Sequence, residues 1–389
     1  MTLDRRTFLK SSAVLGGALG LGGMPSLAHG FDSNGVSDGV SGALVSGTGR
    51  AVAPLRILIL GGTGFIGPNQ VQYALERGHK VTLFNRGKTN STLFPKVPRL
   101  VGDRNLPGGH DALKSGEWDV VIDNPTANPK WVRDAGVALK GRTKHYMFIS
   151  TISVFSDNSK TLDENGPLNP PSDIDAPYDS SKYGSNKVRS EMEAKTQFGN
   201  DVTIVRPGLI VGAGDLSDRF SYWPVRIEKG GEVLAPSPED PTQIVDAKDL
   251  SEWIIRLAET RTMGTFNATG PKNPMTMGEM LYGIKAVMTT DAKFVWVPHE
   301  FLTEQKVRGW SELPTWVPPV GATAGFSRVD CSKAWAAGLT FRPLADTARD
   351  TLKWYHTRPA AEQEKLRAGI APDKEKAVIA AWKAKQGMK

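Results

Sequence analysis

Apolar residues recur along residues 55–208 in two alternating patterns, short continuous runs and longer helical spacings. The runs predict buried strands; they read LRILIL (55–60), VTLFNRG (81–87), RLVGD (99–103), WDVVID (118–123), YMFIS (146–150) and VTIVRPG (202–208). Val71, Ala74 and Leu75 share a helical face after the first run, and residues 179–197 read as a further helix. Because strands and helices alternate, we predict an α/β fold with a doubly wound parallel sheet of the Rossmann type.

The composition changes after Gly214, where prolines and aromatic residues become frequent. Residues 242–285 return to a strand and an amphipathic helix, so we expect them to complete the sheet of the first unit, 54–214. We assign residues 215–358 to a smaller C-terminal substrate-binding region and 359–389 to a helical tail.

The first residues of the chain resemble a bacterial export signal rather than part of a fold. Arg5 and Arg6 precede a glycine-interrupted apolar stretch that ends in Ser26-Leu27-Ala28, which indicates a twin-arginine (Tat) signal peptide over 1–28. The stretch is too short and too interrupted to be a good membrane span. We therefore expect export by the Tat machinery to a periplasmic or extracellular location. A basic unstructured N-terminus and an uncleaved anchor remain alternatives. Residues 29–53 are Gly/Ser-rich and read as a flexible linker.

The composition of the chain mainly excludes certain kinds of site and partner. With 39% hydrophobic and 23% charged residues, the chain has the make-up of a soluble globular protein. Cys331 is the single cysteine, which excludes an intrachain disulfide, and the scattered histidines predict no metal site. The net charge of +7 permits an anionic ligand, but without a basic run we favour a solvated surface and expect no nucleic-acid partner.

A glycine-rich turn links the first strand to the first helix. Gly61, Gly64 and Gly67 have the spacing that lets a backbone approach a pyrophosphate at a helix N-terminus. The flanking strand, helix and second strand supply the context that a bare glycine triplet lacks. We predict a dinucleotide site here, with cofactor contacts from the whole turn: Gly61, Thr63, Gly64, Phe65, Ile66 and Gly67.

The end of the second strand bears on which dinucleotide binds. An acidic residue there usually holds the ribose 2′-hydroxyl of NAD, but this chain has Asn85 and Arg86, with Lys88 nearby. Because a guanidinium pairs well with phosphate, we predict NADP, with NAD as the alternative. Solvent-facing roles for Arg86 and Lys88 also remain open.

Two overlapping Tyr-x-x-x-Lys arrays lie in PYDSSKYGSNKVRSE, namely Tyr178 with Lys182 and Tyr183 with Lys187. Residues four apart share a helix face, and a neighbouring ammonium is expected to lower the pKa of a phenol so that it can act as an acid or base.

Taken together, these motifs resemble the extended short-chain dehydrogenase/reductase family, also called the NAD-dependent epimerase/dehydratase family. The resemblance spans residues 54–285 and rests on GGTGFIG, VGD, FISTISVF, YGSNKVRSE and VRPGLIVGAGD. It favours Tyr183 and Lys187 over the other pair, because Glu191 stands at the family's position and Tyr178 would have Asn186 there.

The resemblance also implies roles for further residues. Thr151 would hydrogen-bond the reacting substrate oxygen, Asp103 would meet the adenine amino group, and Pro207 would line the nicotinamide end. Ile152 and Ser153 follow Thr151 where sugar 4,6-dehydratases carry an acidic pair, which argues against that dehydration. Strand-end capping by Thr151 and a turn role for Asp103 are the structural alternatives.

The expected function is an NAD(P)-dependent oxidoreductase of the epimerase/dehydratase type that acts on a hydroxyl-bearing, sugar-like small molecule. Export would isolate the protein from free cofactor, so we expect a captive cofactor and a redox-neutral cycle. A reductase using free NADPH and a non-catalytic RNA-binding relative are the alternatives. The resemblance allows a homodimer. Trp223, Trp310 and Trp316 are candidate pocket walls, with core packing as the alternative.

Overall fold

The computed structural model describes residues 53–124 and 128–387. The strands, numbered along the chain, are β1 (Arg56–Leu60), β2 (Lys80–Asn85), β3 (Arg99–Val101), β4 (Val120–Asp123), β5 (Tyr146–Ile149), β6 (Val202–Pro207), β7 (Leu209–Val211), β8 (Glu232–Pro236), β9 (Pro241–Asp246), β10 (Gly264–Ala268), β11 (Gly270–Thr276) and β12 (Lys293–Val297). The export signal and most of the linker predicted from the sequence lie outside the described residues.

The α-helices are α1 (Gly67–Glu76), α2 (Pro129–Leu139), α3 (Tyr183–Phe198), α4 (Tyr222–Glu228), α5 (Ala247–Thr260), α6 (Met277–Lys285), α7 (His299–Glu304), α8 (Ser332–Ala336), α9 (Leu344–His356), α10 (Ala360–Gln363) and α11 (Pro372–Lys385). Within the described ranges, none of these helices has the length and apolarity needed to cross a membrane.

Seven strands form one parallel sheet in the order β10-β6-β5-β4-β1-β2-β3. Most of the inner strands are continuous apolar runs because helices cover both faces of such a sheet. Two apolar clusters fill the two faces, one containing Ile57 and Trp253, the other Leu58 and Tyr146. The fold is the predicted doubly wound Rossmann-type sheet.

The order in which strands are added reverses at β1: β2 and β3 extend the sheet on one side of β1, and β4 then pairs with β1 on the other side. Ligands of doubly wound folds bind outside the carboxyl ends of the strands at such a reversal. The fold therefore places the candidate site at the ends of β1, β4, β5 and β6.

A second unit packs around its own core. Strands β7, β9 and β11 form a small sheet, and β8 pairs with β12. A third apolar cluster, which includes Trp223, Trp316 and Ile379, joins these strands to α4, α6 and α11. Of the segment predicted to complete the main sheet, only β10 does so, because β9 pairs with β7 and β11 instead.

Candidate active site

The turn after β1 adopts the backbone that its glycines allow. Gly61 and Gly62 have φ values of +104° and +81°, a region in which other residues are strained. A Cβ on Gly67 would lie 2.6 Å from the Gly62 backbone, so the start of α1 packs directly on the turn. Gly64 has no described atom within 4 Å of where a Cβ would stand, which leaves its backbone open to a ligand.

Two asparagines brace this turn from the side of β2. The Asn85 side-chain amide donates to the Gly61 carbonyl at 3.1 Å and accepts from the Gly87 amide at 2.9 Å. Asn90 donates to the Thr63 carbonyl at 2.9 Å. Asn85, which we predicted as a cofactor contact, thus holds the turn in place. Arg86 is partly buried and no hydrogen bond or ion pair joins it to the described chain, so its guanidinium is available to a ligand.

The rest of the turn packs against α5 and against the segment that leads into the second unit. Thr63 and Ile66 are buried, and the Ile66 carbonyl accepts a hydrogen bond from Ser251 at 3.1 Å. Phe65 faces Gly214, where a Cβ would stand 3.5 Å from its ring. The turn therefore bridges the Rossmann sheet and the segment that leads into the second unit.

Asp103 lies just beyond β3 and organises a local turn. Its carboxylate accepts hydrogen bonds from the backbone and side-chain amides of Asn105, each at 3.1 Å. This is the turn role that the sequence left open. Both bonds use the Oδ1 atom of Asp103, and a contact of Oδ2 with adenine stays a prediction.

Arg104, next to Asp103, enters the interior and forms a cluster that the sequence did not predict. Its guanidinium makes two hydrogen bonds to Asp123, at 2.8 and 2.9 Å, and donates to the Trp131 carbonyl. The Tyr146 hydroxyl also donates to Asp123, which is fully buried at the end of β4. The sequence contains one signal for this cluster, the carboxylate at the end of the apolar run WDVVID, because a buried charge requires a partner.

Thr151, Tyr183 and Lys187 converge at the carboxyl end of β5. Thr151 follows the strand, is 8% exposed, and accepts a hydrogen bond from the Ser153 amide at 3.1 Å. Its hydroxyl is close enough to act on the phenol of Tyr183, the first residue of α3, and lowers the pKa of that phenol. Lys187 lies one helical turn further, on the same face of α3.

The Lys187 side chain is buried against the end of β5. Its ammonium donates to the Ile149 carbonyl at 2.8 Å and lies 4.8 Å from the centre of the Phe148 ring. Burial lowers the pKa of Lys187 to about 8, while the nearby carboxylates of Asp123 and Glu191 act in the opposite direction.

The environment of Tyr183 corrects one expectation. Burial raises the pKa of its phenol, and the hydrogen bond from Thr151 and the charge of Arg219 only partly offset that effect. The lysine was expected to lower this pKa, but the opposing influences come from Thr151 and Arg219. The sequence does not single out Arg219 as a site residue, because the segment before it is irregular.

The alternative pair has a different placement. Tyr178 is 45% exposed in the loop before α3, and Lys182 is exposed at the end of a 3₁₀ turn. The two residues therefore do not share a face of the helix that carries Tyr183 and Lys187.

A buried ion pair fixes α3 against the sheet. Glu191 receives two hydrogen bonds from Arg206 on β6, at 2.9 and 2.7 Å, and a third from Ser150 at 2.6 Å. Pro207 ends β6 next to this pair, buried, and at the edge where the predicted nicotinamide end would lie. The glutamate of YGSNKVRSE thus orients the helix that carries the tyrosine and lysine.

These features fit a dinucleotide. The turn offers an open backbone at Gly64, Arg86 offers an uncommitted guanidinium, and Lys187 and Pro207 line the strand ends beyond. Among the residues that the structure describes, no group of three or more His, Cys, Asp or Glu is placed to hold a metal ion.

Comparison with known proteins agrees with this geometry. The model of the NAD dependent epimerase/dehydratase family matches residues 57–105, from β1 to just past β3. A 3-beta-hydroxysteroid dehydrogenase of Mycolicibacterium neoaurum is 46% identical over 56 residues, which are 14% of this chain and 15% of that protein. These matches support the family resemblance over the glycine-rich turn and the first strands.

Two longer similarities cover the fold. The chloroplast stem-loop binding protein of 41 kDa b of Arabidopsis thaliana is 26% identical over 238 residues, 56% of this chain and 59% of that protein. The chain thus aligns with less than two thirds of the length of either of these curated relatives. The crystal structure of UDP-glucuronic acid 4-epimerase from Bacillus cereus in complex with NAD matches with a TM-score of 0.54 at 16% identity. That match covers 78% of this chain and 99% of the epimerase, and it shows the same fold.

Proposed function

We propose that this protein is an NAD(P)-dependent oxidoreductase of the epimerase/dehydratase type that acts on a hydroxyl-bearing, sugar-like small molecule. The observation that carries the proposal is the convergence of Thr151, Tyr183 and Lys187 at the end of β5. The glycine-rich turn follows β1, the strand at which the strand order reverses. The family match over residues 57–105 and the fold shared with NAD-bound epimerases support it.

The chain can hold the dinucleotide along the carboxyl ends of the sheet strands. The open backbone at Gly64 and the N-terminus of α1 would receive the pyrophosphate, since unpaired amides favour anions there. Arg86 would pair with a 2′-phosphate, which favours NADP, and Lys187 would hold the nicotinamide ribose. When bound, the nicotinamide supplies reversible two-electron oxidation of a carbinol carbon.

The proton moves through the tyrosine. Tyr183 would take the proton of the substrate hydroxyl as the carbon is oxidised and return it when the carbonyl is reduced. Thr151 would hydrogen-bond the same substrate oxygen and so fix its distance from the phenol. Because burial raises the pKa of Tyr183, this step needs stabilisation of the phenolate by Thr151 and Arg219.

The closed redox cycle follows from the proposed location. A protein exported through the twin-arginine route would meet little free dinucleotide, so its cofactor would stay bound and be regenerated on the same substrate. Epimerisation satisfies this requirement because oxidation at one carbon is reversed in the same site. A free sugar or an envelope glycan precursor is the substrate class that we favour.

The test combines cofactor binding with a matched pair of tyrosine variants. NADH and NADPH titrations should show binding to the wild type and to Tyr183→Phe alike. On any sugar substrate that the wild type epimerises by NMR, Tyr183→Phe should lose about 10²- to 10⁴-fold in turnover, as expected for removal of a general acid/base. Tyr178→Phe is the control and should leave turnover unchanged. Failure of the wild type to bind either dinucleotide would overturn the proposal.

A second candidate function rests on the similarity to the chloroplast stem-loop binding protein. Nucleic-acid binding through backbone phosphates weakens steeply with salt. We expect stem-loop RNA to bind weakly, with or without NADPH. Tight, salt-dependent RNA binding by a protein that shows no turnover would favour this second function.

A further inference from the structure

Arg219 lies in the segment that links β7 to α4. The segment passes close to the phosphate-binding turn, since Gly214 faces Phe65. It then leads through Asp215 and Ser217 to an arginine whose charge acts on the Tyr183 phenol. The second unit thus sends one cation towards the reacting end of the site.

The contacts of Arg219 leave most of its hydrogen-bonding capacity unused. Its Nε donates to the Ser217 hydroxyl at 3.0 Å, and its guanidinium lies 5.0 Å from the centre of the Trp310 ring. Its two terminal nitrogens have no hydrogen-bond partner in the described part of the chain, and no described carboxylate lies within ion-pair distance. Stacking on an aromatic ring fixes the plane of such a group and leaves its edge free.

The nearby acidic residue does not complete this site. Asp215 is buried, and its carboxylate accepts from the Ser217 amide at 2.9 Å and from the Ser217 hydroxyl at 2.7 Å. Asp215 is close enough to act on the Arg219 charge but makes no ion pair with it. Burial lowers the pKa of Arg219, and the charge of Asp215 acts in the opposite direction. An anionic ligand would supply the bonded partner that the described chain does not.

We propose that Arg219, stacked on Trp310, binds an oxyanion of the substrate, a carboxylate or a phosphate ester, close to the carbon on which Tyr183 acts. The inference rests on the proposed function, because it takes Tyr183 as the acid/base. A planar guanidinium with a free edge matches the two oxygens of such a group and orients the sugar as well as attracting it. The preferred substrates are therefore acidic sugars or sugar phosphates, and neutral sugars bind poorly.

The test uses ligand-observed NMR on full-length protein loaded with NADH. The probes are glucose, glucuronate and glucose 6-phosphate, which share a ring and differ in the anion. The wild type should bind one anionic probe at least about 10-fold more tightly than glucose, as expected for a charge-assisted bidentate pair. The probe that gains distinguishes a carboxylate site from a phosphate site.

Variants assign the effect to Arg219. Arg219→Gln should abolish the preference, and Arg219→Lys, which keeps the charge without the fork, should retain part of it. Arg349→Gln, at an exposed arginine on α9, is the matched control and should change nothing. Equal thermal midpoints of the variants would exclude misfolding, and Arg219→Lys decides the matter if Arg219→Gln is unstable.

The outcomes separate the two proposals. If NADH does not bind the wild type, the proposed function fails and this inference fails with it. If NADH binds but the three probes bind equally, or if Arg219→Gln weakens NADH rather than the anionic sugar, only the oxyanion site is wrong.

Discussion

At the level of single residues, we predict that Arg86 decides which dinucleotide the site prefers. Its guanidinium is uncommitted and follows Asn85, which is occupied in holding the glycine turn. We expect Arg86→Gln to weaken NADPH binding by about 10-fold or more, the cost of one charge-assisted hydrogen bond, and to leave NADH binding nearly unchanged. Fluorescence titration with both nucleotides measures this. Lys114→Gln, at an exposed lysine, is the control. An equal loss of affinity for NADPH and NADH would show that Arg86 does not pair with the 2′-phosphate.

The burial of Lys187 predicts an unusual pH dependence of stability. Its pKa is about 8 in the folded protein and near 10.5 when the chain is unfolded, so the unfolded state binds more protons between these values. The free energy of unfolding contributed by this group therefore increases as the pH rises through that window.

Urea denaturation of the nucleotide-free protein measures this effect against Lys187→Met. From about pH 7.5 to pH 9.5, below most tyrosine titration, the wild type should gain on the order of 1–3 kcal/mol relative to the variant. Lys114→Met, which removes an exposed ammonium, is the control. A flat difference between the wild type and Lys187→Met would show that the buried ammonium is not desolvated.

Sequence motifs located some residues and missed others for a physical reason. Gly61, Thr151 and Tyr183 stand in local patterns whose spacing reports their geometry directly. Arg104 and Asp123 are 19 positions apart, and β1 and β2 lie between β3 and β4 in the sheet, so the two side chains meet only because the turn after β3 carries Arg104 back to the end of β4. A pattern read along the chain does not contain that contact, although a lone carboxylate at the end of a buried strand signals that one must exist.

At the level of secondary-structure elements, the ion pair between Glu191 and Arg206 ties α3 to β6. Both side chains are buried, so removing one partner leaves an uncompensated charge. We expect Glu191→Ala to destabilise the protein by about 3–5 kcal/mol, and Glu191→Leu combined with Arg206→Met to recover much of this. Chemical denaturation measures both. Asp346→Ala removes an exposed pair and should cost less than about 1 kcal/mol; equal costs would contradict the argument.

The elements of the Rossmann sheet were predictable and those of the second unit largely were not. Buried parallel strands are continuous apolar runs, and β1, β4 and β6 follow that rule closely. Strand β9 reads in the same way, yet it pairs with β7 and β11 rather than with the main sheet. Its partners are set by tertiary packing around Trp223 and Trp316, which local periodicity does not encode.

At the scale of the whole molecule, the C-terminal segment closes the second unit around the Arg219 loop. Asp218 is fully buried and accepts from the Arg358 guanidinium at 2.6 Å and from the Arg367 amide at 3.0 Å. We expect Arg358→Met to lower the thermal midpoint, because it leaves Asp218 as an unpaired buried charge. It should also weaken binding of the anionic sugar probe, since Asp218 precedes Arg219. Arg349→Met serves as control, and an unchanged midpoint would show that this closure is not needed.

Export and cofactor retention make one joint prediction for the intact protein. If the chain crosses the membrane folded, as the twin-arginine route requires, a nucleotide bound in the cytoplasm travels with it. Protein purified from the exported fraction and denatured should release close to one NADP per chain, identified by mass spectrometry. Replacing Arg5 and Arg6 by Lys should retain the protein inside the cell with the same nucleotide content. Exported protein that is empty and binds NADPH weakly would instead favour a reductase using free cofactor, because a closed redox cycle depends on a nucleotide that does not leave.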